Sequence, residues 1–143
     1  MAGVAATQRP DLWKVVIPLM PFLDVIGGMR DPYDLYVIRQ EFGDPDDPAE
    51  VRRMAQFSPY QLVKDGAKYP AVFLVAGDTD PRCPAWHASK FAARLQAANT
   101  ANTPTLVHIW ENAGHDVAND KSTTLAQTTE WLAFTMRELG MKL

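Results

Sequence analysis

Apolar residues gather along the chain in three short continuous runs, separated by stretches in which they recur at helical spacing. The runs are Trp13–Leu19 (WKVVIPL), the β-branched and apolar stretch Ala71–Val75, and Thr105–Trp110 (TLVHIW). Each has the length and side-chain type of a buried strand. After the second run the chain breaks at Gly77 into an acidic loop, Asp78-Thr79-Asp80-Pro81-Arg82. It restarts at Pro84 as a helix to about Ala98, with Ala88, Phe91, Ala92 and Leu95 on one stripe. The last helix is predicted from about Ser122 to Leu139, with Leu125, Leu132, Met136 and Leu139 inward and Gly140 as its left-handed stop. Strand–helix alternation predicts an α/β domain of about three parallel strands with flanking helices.

The remaining segments are less regular. Met1–Thr7 suits the end of a closely packed helix, yet offers no N-cap residue. Pro18 and Pro21 close the first run. Between Phe22 and Gly43 the helical spacing of Leu23, Ile26 and Met29 is interrupted by Gly27-Gly28 and Asp31-Pro32; Leu35, Ile38 and Phe42 form a second helix-like face. Asp47-Pro48 starts a helix with Val51, Met54 and Phe57 on one side, and Tyr60–Lys68 reads as loop.

Composition adds bounds. The 143 residues fit one domain over the whole chain, 1–143, and 47% hydrophobic with 22% charged residues is that of an ordinary folded protein. A net charge of -3 leaves no electrostatic footprint for nucleic acid or an anionic membrane, and no apolar run approaches a membrane span. The single cysteine excludes an internal disulfide, and the N-terminus has no secretory pattern, so a soluble cytoplasmic protein is expected. Asp116 and Asn119-Asp120 carry oxygen ligands, but their spacing fits no coordination loop; no metal or other cofactor is expected.

The candidate chemistry lies at the carboxyl ends of the second and third runs. Asp80 follows one strand and His115, in Glu111-Asn112-Ala113-Gly114-His115, follows the next. A carboxylate there can accept the Nδ1 proton of an imidazole and stabilise the imidazolium formed in catalysis. The competing reading makes Asp80 a helix cap and His115 a surface loop residue. Arg82 either grips a substrate carbonyl or carboxylate, or pairs with Asp78 on the surface. Cys83 reads as a buried structural cysteine, and His87 and His108 as packing residues. No serine fits a strained nucleophile turn: Ser58 lies between Phe57 and Pro59, Ser89 is mid-helix, and Ser122 resembles an N-cap.

Six stretches together resemble the C-terminal part of the prolyl oligopeptidase family, serine peptidases with an α/β-hydrolase catalytic domain. They are QRPDLW (8–13), EFG (41–43), FSPY (57–60), YPAVFLVAGDTDPRCP (69–84), HASKFAARLQ (87–96) and ENAGH (111–115). The resemblance implies a partial α/β-hydrolase in which Asp80 is the triad acid, His115 the base, and Arg82 a substrate-binding arginine acting on a peptide or ester. It further implies that the family's serine, in a G-G-S-x-G-G turn, would precede Met1 by a few residues. The chain then looks like a member cut just after its nucleophile, inactive or weakly hydrolytic alone. Where proline-specific members carry a ring that stacks on proline, this chain has Ile38, which lines a pocket but stacks on nothing. The alternative is a non-enzymatic module that self-associates or complements a missing N-terminal half through the open edge of the first strand.

Overall fold

A computed structural model describes residues 1–116 and 120–142. Three parallel strands, β1 (Val15–Val16), β2 (Ala71–Gly77) and β3 (Thr105–Trp110), form a sheet in the order β1-β2-β3. The helices are α1 (Ala2–Gln8), α2 (Val25–Gly28), α3 (Pro32–Glu41), α4 (Pro48–Ala55), α5 (Pro59–Leu62), α6 (Trp86–Ala98) and α7 (Lys121–Glu138).

β2 is buried at every position because both of its faces are covered. Val72, Leu74 and Ala76 meet Ala88, Phe91, Ala92 and Leu95 of α6 on one side, joined by α1 and the Tyr69 region. Phe73 and Val75 meet Trp131 and Phe134 of α7 on the other. A satellite cluster of Val25, Ile38 and Met54 holds α2, α3 and α4 together under Phe22, Phe42 and Phe57. Asp31 and Asp47 cap α3 and α4, each followed by a proline at the first helical position.

Besides Tyr60–Lys68, read as loop but opening inside the short helix α5, two expectations need correction. The first strand is far shorter than Trp13–Leu19: the ladder stops after Val16, and Pro18, Pro21 and Met20 at φ 42 break the run. A single bridge, Leu19 to Val75, resumes the pairing. The second correction concerns α7, whose extent and Gly140 stop (φ 71) match the reading but whose orientation does not. It turns Gln127, Trp131 and Phe134 inward, whereas Leu125, Leu132 and Leu139 are 65%, 41% and 52% exposed. The bulkier aromatic pair wins the contact with Phe73, its rings 5.4 Å apart for Phe134, and carries more apolar surface into the core than the leucines would.

Candidate active site

The two loops at the carboxyl end of the sheet are held together by main chain. The Asp78 N–H donates to the Trp110 carbonyl (3.0 Å) and the Thr79 N–H to the Ala113 carbonyl (3.1 Å). The Asp78 side chain returns the contact, accepting the Ala113 N–H at 3.1 Å. Gly77 makes this approach possible: a Cβ there would lie 2.1 Å from the Ala113 oxygen and 2.6 Å from the Gly114 oxygen.

This contact brings Asp80 to His115. Asp80 is buried, and its Oδ1 accepts the backbone N–H groups of Arg82 (2.8 Å) and Cys83 (3.0 Å). Its Oδ2 is left for the His115 Nδ1 at 2.8 Å. The imidazole, 28% exposed, thus carries its proton on Nδ1 when neutral, and among the described residues Nε2 has no hydrogen-bond partner. The helix-cap alternative for Asp80 does not describe what is found. Asp80 braces the turn before α6, while the N-cap position of α6, Ala85, provides no side-chain cap.

Arg82 extends from the same turn, exposed, and its guanidinium meets no carboxylate among the described residues; Asp78 is engaged with Ala113 instead. Ile38 lies elsewhere: it is fully buried in α3 and presents no surface to a substrate. Cys83 is half-buried, and its thiol is pushed up to about 11, first by burial and then by Asp80 and Asp34, with Arg82 opposing. It is therefore a protonated, weakly nucleophilic thiol at neutral pH.

The serines are committed to the fold. Ser58 Oγ is fully buried, accepts the Val25 N–H (2.9 Å) and donates to Gln61. Ser89 donates to the Ala85 carbonyl one turn back in α6, and Ser122 bonds the α7 cap Asp120. The expected oxygen ligands do not gather into a site: Asp116 is exposed, Asp120 caps α7, and Asn119 lies outside the described residues. No group of three metal-ligating side chains occurs among the described residues, and no helix among them is long and apolar enough to cross a membrane.

One polar centre escaped the sequence reading. His87 Nδ1 accepts the Asp24 N–H (3.2 Å) and, at a longer 3.4 Å, the Leu23 N–H, while Nε2 meets Asp34 Oδ2 at 3.0 Å with both side chains fully buried. The signal available was Asp34, an acid one turn before Ile38 and therefore on the same buried face of a helix.

The profile of the prolyl oligopeptidase family matches residues 1–142. The chain belongs to this family. It is 31% identical over 149 residues to a prolyl endopeptidase of Elizabethkingia meningoseptica, covering 99% of this chain and 20% of that protein. Among solved structures it resembles oligopeptidase B from Leishmania major, with TM-score 0.90 and 30% identity over 96% of this chain and 19% of that one. Oligopeptidase B from Trypanosoma brucei, with antipain covalently bound, gives TM-score 0.90 and 29% identity over 99% of this chain and 20% of that one. The chain thus spans about one fifth of these relatives' length, and its fold is that of part of an α/β-hydrolase catalytic domain.

Proposed function

We propose that this chain supplies the acid and the base of a serine-peptidase site, with the attacking hydroxyl contributed by a segment other than these residues. The observation that carries the reading is the contact of His115 Nδ1 with Asp80 Oδ2 at 2.8 Å, which leaves Nε2 without a partner among the described residues. A hydroxyl presented to Nε2 gives up its proton as its oxygen bonds to the substrate carbonyl carbon. Asp80 steadies the resulting imidazolium. The same proton then passes to the departing amine or alcohol as the scissile bond breaks, and water repeats the cycle to release the acid. Arg82 supports a substrate carbonyl with two parallel N–H donors. Membership of a peptidase family and the covalently bound antipain of the trypanosomal relative favour a peptide as substrate. With Ile38 buried away from the surface, nothing in the chain argues for strict proline preference.

The test is hydrolysis of short-chain p-nitrophenyl esters by the purified chain, beside His115→Ala and Asp80→Asn. Without its serine the site is expected to act through His115 on water, slowly, falling about tenfold or more in His115→Ala and in Asp80→Asn. A fluorophosphonate probe should label nothing. Equal rates in His115→Ala, or stoichiometric labelling of Ser58, Ser89 or Ser122, would overturn the reading.

A further inference from the structure

Asp80 fastens only one end of the turn that carries Arg82. Among the described residues, 81–86 make no hydrogen bond to any more distant part of the chain. The Arg82 and Cys83 N–H groups return to Asp80, and the Pro84 and Ala85 carbonyls accept from within α6. The first residue past Arg82 whose hydrogen bonds leave this segment is His87. Its imidazole is fully buried, with the Trp86 ring stacked 3.7 Å away and the Phe22 ring at 4.6 Å. The partners of the ring fix its protonation. Nδ1 faces two main-chain N–H groups, those of Leu23 and Asp24, and can only accept; the proton of the neutral ring is therefore on Nε2, aimed at Asp34 Oδ2. An imidazolium would point a third donor at those two, so the ring stays neutral. Asp34 serves it as an acceptor, and its other oxygen, Oδ1, is buried with no hydrogen-bond partner among the described residues. Gly28 lets α2 lie this close to α3: a Cβ there would stand 3.2 Å from the Asp34 Cβ and Oδ2. One ring thus ties the first turn of α6 to the start of α2 and to α3.

We propose that His87, held neutral against Asp34, is a positioning residue. It anchors the far end of the turn whose near end is Asp80, and so sets where Arg82 stands relative to His115. The segment between the anchors includes Pro81 and Pro84, which restrict the backbone but donate no hydrogen bond. Its path is therefore fixed by its two ends. With the His87 end released, Asp80 Oδ1 would hold the turn alone, and any shift of the turn would pull on the carboxylate whose Oδ2 meets His115. A displacement of about 1 Å near reacting groups costs rate out of proportion to its size. The bearing on catalysis rests on the hydrolytic reading; the anchoring itself does not.

The experiment is native-state hydrogen exchange by NMR, comparing the Arg82 and Cys83 amides with those of β2. Asp34→Leu leaves the His87 Nε2–H without an acceptor. It should speed exchange at Arg82 and Cys83 by about tenfold or more beyond any change in β2, and broaden the His115 Nδ1–H signal. Asp34→Asn keeps an acceptor for Nε2–H and should leave both close to wild type. His87→Asn, which keeps an acceptor for the Asp24 N–H but cannot reach Asp34, should behave as Asp34→Leu and replaces it if that variant does not fold. Phe73→Leu lowers stability from the other face of the sheet and should not reproduce the pattern. Turn and β2 amides accelerated equally in Asp34→Leu and His87→Asn, the same selective pattern in Phe73→Leu, or no rescue by Asp34→Asn would overturn the inference. Exchange needs no turnover, so an inactive wild type in the ester assay would count against the hydrolytic reading alone.

Discussion

Asp80 divides its two oxygens between two jobs, one bracing the turn that carries Arg82 and Cys83, the other holding His115. Bracing a turn and holding an imidazole are not exclusive, since a single carboxylate has lone pairs enough for both. Spacing identified Asp80 and His115 as residues to pair, because each follows a strand of a parallel sheet. Spacing could not exclude Cys83 as an improvised nucleophile; that depends on burial and on the acids around it. With its thiol pushed up to about 11, Cys83 should react slowly with iodoacetamide at pH 8, and the rate should climb about tenfold per pH unit toward pH 10. Mass spectrometry of the alkylated chain reads this directly, and a rate already flat at pH 8 would contradict the assignment. Ile38 marks the opposite limit. A local match in sequence offered it as a pocket residue, but the packing of α3 against Val25 and Met54 buries it fully.

Among the elements, those with a strong period and clear end signals were legible: β2, β3, α4 and α6 lie close to where their patterns put them. β1 was overread, since a run of β-branched residues carries no record of how many partners it finds beyond a proline. α7 was read with the right ends and the wrong face because it is apolar on two sides. Periodicity ranks four aliphatic residues above an aromatic pair, whereas the groove over Phe73 takes the aromatics. The β2–β3 connection gives an element-scale prediction. Gly77→Ala drives a methyl group into the Ala113 and Gly114 carbonyls, which are main chain with no flexible side chain to give way. It should cost ~2–4 kcal/mol in urea unfolding. It should also lower the His115-dependent ester rate of the surviving folded protein; unchanged stability would show that the loops part more easily than their hydrogen bonds suggest.

At the scale of the whole molecule, the segments preceding β2 are tied to α6 through Asp24. This carboxylate accepts from the Gly27 N–H (2.7 Å), from Gln61 (2.8 Å) and from Lys90, so one side chain joins α2, α5 and α6. Burial alone would raise its pKa; the hydrogen bonds from Lys90, Gly27 and Gln61 outweigh that and hold it below the usual carboxylate range. A carboxyl whose folded pKa is depressed stabilises the fold fully above its unfolded value and loses that contribution as pH falls through the folded one. Stability should therefore drop on acidification below about pH 4, and Asp24→Asn should flatten the decline while lowering stability at neutral pH by ~3 kcal/mol. Urea midpoints of both proteins at neutral and acid pH decide it; parallel curves would remove Asp24 from the explanation.

The meeting of backbone with backbone at Gly77 has an evolutionary corollary. Because the spacing between the acid loop and the histidine loop is set largely by peptide groups, the outward side chains of Thr79 and Glu111 bear little of the geometry. A lineage could exchange those residues to suit new substrates while the proton-transfer pair stayed in register. Change at Gly77 would break that register first.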